Sequence, residues 1–141
     1  MTTNVLEFKI KYQVDEYNLF ENNNWIVSLR PEQKTPFSML ISVKFDIFSL
    51  SDLTPIQMSE LHDCYKFIEN LSYKKLEATK VNYLCLMMVD SIVHFHVFPR
   101  FNKSLAYKGV SLKDVYYPKP VDILDKNSLN ISLVESYLKN L

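Results

Sequence analysis

Between residues 93 and 98 the chain reads Val93-His94-Phe95-His96-Val97-Phe98, apolar side chains alternating with two histidines. Successive side chains of a strand point to opposite faces, and those two apart share one. Read as a strand, the segment sends Val93, Phe95 and Val97 into a core and sets two imidazoles side by side on the other face. Packing alone does not call for that pair. The fold must therefore supply a sheet with one apolar face and one face that presents His94 and His96.

The neighbouring segments read as the rest of that sheet. Residues 81–89 are strongly apolar and predict a strand, with Asp90-Ser91 short enough to turn it into the histidine strand as a hairpin. Residues 6–12 alternate at period two and predict another strand. Asn22-Asn23-Asn24 is a turn signal between Leu19-Phe20 and the run Trp25 to Leu29, which together read as a hairpin. A loop over 31–36 leads into a third strand at 37–43, apolar enough to be buried on both faces. Thr54 caps and Pro55 opens a helix expected to run from 55 to about 76. Its apolar face is formed by Leu53, Ile56, Leu61, Cys64, Phe67, Ile68 and Leu71. Residues 102–126, with Gly109, Pro118 and Pro120, read as a long covering loop. A last helix is expected at about 128–138, with Leu129, Leu133, Val134 and Leu138 on one side. Short links between strands favour antiparallel pairing. The expected class is α+β: an antiparallel β-sheet with one long helix and a C-terminal helix.

Composition narrows the function. A chain of 141 residues, 48% hydrophobic and 23% charged, is expected to be one domain spanning 1–141. A single glycine excludes the Gly-rich phosphate loop and the dinucleotide fingerprint. Sixteen basic residues balance sixteen acidic ones, so no field draws the chain to nucleic acid or to a membrane, although a local basic pocket for a small phosphorylated ligand stays open. Cys64 and Cys85 lack metal-type spacing and read as buried free thiols of a reducing compartment. Met1-Thr2-Thr3-Asn4 lacks the features of a leader, and no stretch has the apolar length to cross a bilayer. The expected location is the cytoplasm.

From the residues alone, three readings of the histidine pair stand. In the first, the two are half-exposed surface side chains. In the second, they chelate a metal, with Asp46 or Asp90 as a further ligand. In the third, one imidazole attacks phosphorus while the other steadies the phosphate oxygens.

The run Ile92-Val93-His94-Phe95-His96-Val97-Phe98-Pro99-Arg100 resembles the histidine-triad motif, in which three histidines alternate with apolar residues and Pro-Arg follows. Residues 80–90, Ser28 to Gln33, Leu50 to Pro55 and Tyr117 to Pro120 are similar, in the same order, to segments of bacterial family members that are themselves similar to adenylyltransferases and diadenosine-polyphosphate hydrolases. The resemblance covers about residues 25–122. It implies an α+β fold, a homodimer, and attack by the middle histidine on the α-phosphate of a nucleotide or dinucleoside polyphosphate. A covalent nucleotidyl-histidine forms, then hydrolysis or transfer follows. Carried over by position, His94 is the nucleophile, oriented by the backbone carbonyl of residue 92, and His96 contacts the phosphate oxygens. No cofactor is implied, and no metal.

Departures from the motif weaken the expected enzyme. Ile92 replaces the first histidine, Ser38 stands where many members open a strand with histidine, and Asp46 stands at another such position. Loss of a general acid–base commonly costs a factor of about 100 to 10,000 in rate. A weakened nucleotide-binding module is thus the alternative, with a His-x-His metal protein behind it. Asn82 resembles an asparagine placed near the phosphates, Ser38 takes the place of a substrate-side histidine, and Arg30 is a further candidate for phosphate contact, with a solvated surface charge as the other reading. Arg100 is expected in a structural ion pair, His62 on a helix face, Met87 and Met88 in core and rim, and Lys74, Lys75, Glu77 and Lys80 at a solvated helix end.

Overall fold

A computed structural model describes residues 4–141. The reading of Met1-Thr2-Thr3 lies outside the described residues. The elements run α1 (Val5–Lys11), β1 (Asn18–Glu21), β2 (Trp25–Leu29), β3 (Met39–Val43), α2 (Pro55–Glu69), β4 (Lys80–Leu84), β5 (His94–Arg100), β6 (Leu105–Tyr107), β7 (Val110–Leu112) and α3 (Ile131–Lys139). A five-stranded antiparallel sheet has the order β1-β2-β3-β5-β4, and β6 and β7 form a separate hairpin. The class is α+β. Among the described residues no helix is long and apolar enough to cross a membrane.

The pairing register sorts side chains onto two faces. Val27, Ile41 and Phe95 form one row, and Leu29, Met39, Val97 and Tyr83 another. This face is covered by α2, which buries Leu61, Cys64 and Ile68. Trp25 anchors the helix by donating its indole N–H to the Gln57 carbonyl at 2.8 Å. Thr54 and Gln57 form a reciprocal capping box and Pro55 opens the first turn. A π-helical segment (Asn70–Lys75) continues the helix close to its expected end. Ile56, expected on the buried face, is exposed. The other sheet face carries the rows Ile26, Ser42, His94 and Ser28, Leu40, His96, Leu84.

Three segments differ from the sequence reading. Residues 5–11 form a helix, not a strand. Asn4 accepts from the Glu7 N–H and Asp46 accepts from the Val5 N–H, so two side chains satisfy the orphan donors of the first turn. The period-two signal was misleading because Leu6 and Ile10 are exposed, while Phe8 is buried and Val5 and Tyr12 pack beside it at helical spacing. Next, β4 stops at Leu84, and residues 85–93 form a loop where a tight hairpin was expected. Met87 takes a positive φ of 52°, which a continuing strand does not permit. Met87 packs on the core edge and Met88 is exposed, and Lys80 opens β4 where a helix end was expected. Last, the covering loop contains the β6–β7 hairpin. Lys108 and Gly109 both have positive φ, the geometry of a two-residue hairpin turn.

Candidate active site

Strand β5 places His94 and His96 on one face, with ring centroids 5.1 Å apart and planes at 82°. The Nδ1 of His94 lies 2.8 Å from the Ile92 carbonyl oxygen. That oxygen can only accept, so Nδ1 carries the proton and Nε2 keeps its lone pair. His96 is held the other way. The Nε–H of Arg30 donates to His96 Nδ1 at 3.4 Å, which leaves the proton of His96 on Nε2. The pair thus offers one nitrogen lone pair and one N–H donor on neighbouring rings.

Both rings are buried, His94 at 2% and His96 at 6% exposure. Burial lowers the pKa of His94, and Lys11 lowers it further, against the pull of the Ile92 carbonyl and Asp90. Burial, then the Arg30 charge and His94, push His96 down to about 3, with Asp90 opposing. At neutral pH both imidazoles are uncharged, as a nitrogen nucleophile requires.

Helix α1 and the β2–β3 loop wall the pair in. The Phe8 ring lies 4.9 Å from the His94 ring. Asp90 ties the 85–93 loop to α1, accepting from Tyr12 Oη at 2.6 Å and from Lys11 Nζ at 2.9 Å. Burial raises the Asp90 pKa, but the hydrogen bonds from Tyr12 and Lys11 outweigh it, and the carboxyl stays below its ordinary value. Arg30, just past β2, is 6% exposed and lies over the Phe98 ring at 6.0 Å. Its Nη1 donates to the Glu32 carbonyl at 2.8 Å. The loop behind it is rigidly tied. Gln33 donates to the carbonyls of Arg30 and Ser38, both at 2.7 Å, and accepts from the Ser38 N–H. Buried Lys34 pairs with Glu32 at 2.7 Å and also holds Asp125.

No model of a known sequence family matches the chain, and no curated protein matches it by sequence. Solved structures do match. A histidine triad protein from Bradyrhizobium japonicum superposes with a TM-score of 0.65 at 14% identity, over 90% of each chain. The chain has the histidine-triad fold. A hypothetical histidine triad nucleotide-binding protein from Sulfolobus tokodaii matches with a TM-score of 0.63 at 14% identity, covering 93% of this chain and 84% of its own. A Zn-bound histidine triad family protein from Mycobacterium smegmatis matches at 0.55 and 18% identity, over 88% and 84%.

Within this histidine-triad fold the other sequence candidates separate. Arg30 joins the histidines. Asn82 pairs in register with Phe98, one row along from His96, and accepts from Arg100 Nη1 at 2.9 Å. It lines a cleft of about 580 Å³ at the β4 edge, together with Leu84, Phe98, Arg100, Pro118 and Pro120. The cleft adjoins the histidine pair without including it. Arg100 is structural, as expected: its Nε donates to Asp114 at 2.7 Å. Ser38 does not reach the histidines, because its hydroxyl donates to the Thr35 carbonyl at 2.8 Å and accepts from the Thr35 N–H. Asp46 caps α1, and His62 is exposed on α2. Cys64 is buried and its thiol is pushed up to about 12, mainly by burial; Cys85 is only half-buried.

Sequence reasoning missed Phe8, Lys11 and Tyr12, all of which approach the site from α1. The signal was present in Asn4, a capping residue three positions before Glu7. It also missed Ser28, whose buried hydroxyl lies in the row of His96 and has no hydrogen-bond partner among the described residues.

Proposed function

We propose that the chain binds a nucleotide or dinucleoside polyphosphate and cleaves it at the α-phosphate, as a hydrolase or nucleotidyl transferase, through a covalent nucleotidyl-histidine at His94. The observation that carries this reading is the 2.8 Å contact between His94 Nδ1 and the Ile92 carbonyl, which turns the lone pair to Nε2. In the reaction, that lone pair forms a bond to phosphorus while the bond from phosphorus to the leaving oxygen breaks, and the electron pair departs with the oxygen. Water or an acceptor hydroxyl then attacks phosphorus, the P–N pair returns to Nε2, and the attacking group's proton passes to solvent. The strand holds the ring in place, limiting the entropy lost in reaching phosphorus. His96 Nε2–H donates to the phosphate oxygens, with the Asn82 amide as a further phosphate contact. No cofactor takes part. The assembly is a homodimer, supported by β4, which among the described residues pairs only with β5, and by the exposed Leu86, Met88 and Val89 that follow it. The two unpaired cysteines fit a reducing, cytoplasmic location.

A second reading has its own support. With His94 and His96 almost fully buried and Ile92 and Ser38 in place of imidazoles, a nucleotide-binding module with little turnover fits the same geometry. The Zn-bound relative raises a metal reading too, but among the described residues no three His, Cys, Asp or Glu side chains are grouped to hold a metal.

The test is a panel of nucleotides and dinucleoside polyphosphates assayed for binding and turnover with the parent and His94→Asn. The enzyme reading expects turnover that His94→Asn abolishes while binding persists. Binding without turnover across the panel selects the module, and undiminished turnover in His94→Asn contradicts the nucleophile assignment.

A further inference from the structure

Arginine donates hydrogen bonds and never accepts them. Its contact with His96 therefore has a chemical direction, and the consequence reaches past the burial of one charge.

We propose that Arg30 is a positioning residue which, by donating to His96 Nδ1, holds His96 as a neutral Nε2–H donor and confines the site to substrates whose leaving group departs without a proton, phosphoanhydrides ahead of phosphoramidates. The leaving-group clause rests on His94 being the nucleophile; the tautomer clause does not.

The geometry is specific. The Nε–H of Arg30 meets His96 Nδ1 at 3.4 Å, and Nη1 is fixed on the Glu32 carbonyl at 2.8 Å. The guanidinium lies over Phe98, whose ring is parallel to that of His96 within 5°. Gln33 clamps the Arg30 carbonyl from behind, which fixes the backbone from which the guanidinium extends. The charged groups that face His96 are Arg30 from the end of β2, His94 from its own strand and Asp90 from the 85–93 loop. Glu32 lies 3.9 Å from Arg30 and Lys11 and Tyr12 engage Asp90, so both carboxylates are already partnered. Protonating His96 would put a second donor on Nδ1, facing the Arg30 N–H. The ring therefore supplies a hydrogen bond from Nε2 but holds no spare proton to transfer.

Cleavage of an anhydride suits such a site. His94 Nε2 bonds to the α-phosphorus, the bridging P–O bond breaks, and its electron pair leaves on a phosphate that is stable as an anion at neutral pH. An amine leaving group would need a proton first, which neither histidine carries in excess. Removing such an acid commonly costs about 100-fold or more.

The experiment uses the full chain labelled with ¹⁵N-histidine. Long-range ¹H–¹⁵N spectra between pH 5 and 7.5 should show His96 protonated on Nε2 only and His94 on Nδ1 only. In Arg30→Leu, His96 should become a mixture of tautomers, while His94 stays unchanged and reports an intact fold. Arg30→Lys keeps the charge without the fixed Nε–H and should also release the tautomer, which covers the case in which Arg30→Leu does not fold. A His96 protonated on Nδ1 in the parent, or an Nε2-protonated His96 unchanged in either folded variant, overturns the proposal. With turnover in hand, the parent should favour a dinucleoside polyphosphate over the matching nucleoside phosphoramidate by about 100-fold or more, and Arg30→Lys should narrow that ratio. Equal rates in the parent overturn the leaving-group clause alone. Absence of turnover with the expected spectra contradicts the enzyme reading and leaves the tautomer assignment standing.

Discussion

His94 Nδ1 sits 2.8 Å from the carbonyl oxygen of Ile92, two residues earlier on the chain. The contact uses backbone, so the isoleucine side chain is free to differ from histidine without disturbing the ring. What Ile92 must do is keep its own peptide in place, and its side chain is fully buried to that end. Ile92→Val should therefore lower stability by about 0.5–1.5 kcal/mol and change turnover no more than about twofold. A large fall in kcat with stability preserved would show that the side chain matters to the chemistry.

The buried histidines should make stability fall as pH is lowered below about 6.5. Both have folded pKa values below the ordinary imidazole value of about 6.5. Below pH 6.5 the unfolded chain binds protons that the fold refuses, so the stabilisation is complete above that pH. It is lost as pH falls toward the folded value, about 3 for His96. The slope approaches about 1.4 kcal/mol per pH unit for each such group. Urea midpoints at pH 7.0 and 5.5 should drop clearly for the parent and less for His96→Gln. An equal drop in both would contradict the assignment.

Tyr12 and Lys11 latch α1 to Asp90, and α1 sets Phe8 against His94. Tyr12→Phe removes the 2.6 Å bond to the carboxylate and should cost about 1–3 kcal/mol. It should also speed carbethoxylation of His94, read by peptide mass mapping. Unchanged reactivity would show that α1 does not govern access to the ring.

The histidine strand was readable because its pattern is local: a period-two alternation with imidazoles on one side is satisfied by a strand and little else. The long helix was readable for the same reason, through the Thr54 cap and Pro55. Residues 5–11 alternate just as cleanly yet form a helix, because Asn4 and the distant Asp46 satisfy its first N–H groups. That partner lies 41 residues away and leaves no local trace. Arg30 illustrates the same limit. Its type and its place before a Pro-containing loop suggested phosphate contact or solvent, whereas its burial against His96 comes from the register of β2, β3 and β5 and from the Gln33 clamp. Ser38 shows the converse: position in the motif suggested substrate, but the turn takes up its hydroxyl.

Strand β4 ends the sheet and, among the described residues, pairs only with β5, which predicts self-association. Sedimentation across the micromolar range should show a dimer, and Met88→Lys, which puts a charge beside the edge on an exposed side chain, should shift it toward monomer. Monomer alone throughout would remove the homodimer from the account.

The covalent intermediate is tested most directly by stereochemistry at phosphorus. A dinucleoside polyphosphate carrying a single-configuration phosphorothioate at the α-position is hydrolysed in ¹⁸O-labelled water, and the configuration of the nucleotide product is determined. Attack by His94 followed by attack of water is two in-line displacements, so the account predicts net retention whether or not the adduct accumulates. Inversion would show a single direct displacement by water and contradict His94 as the covalent nucleophile.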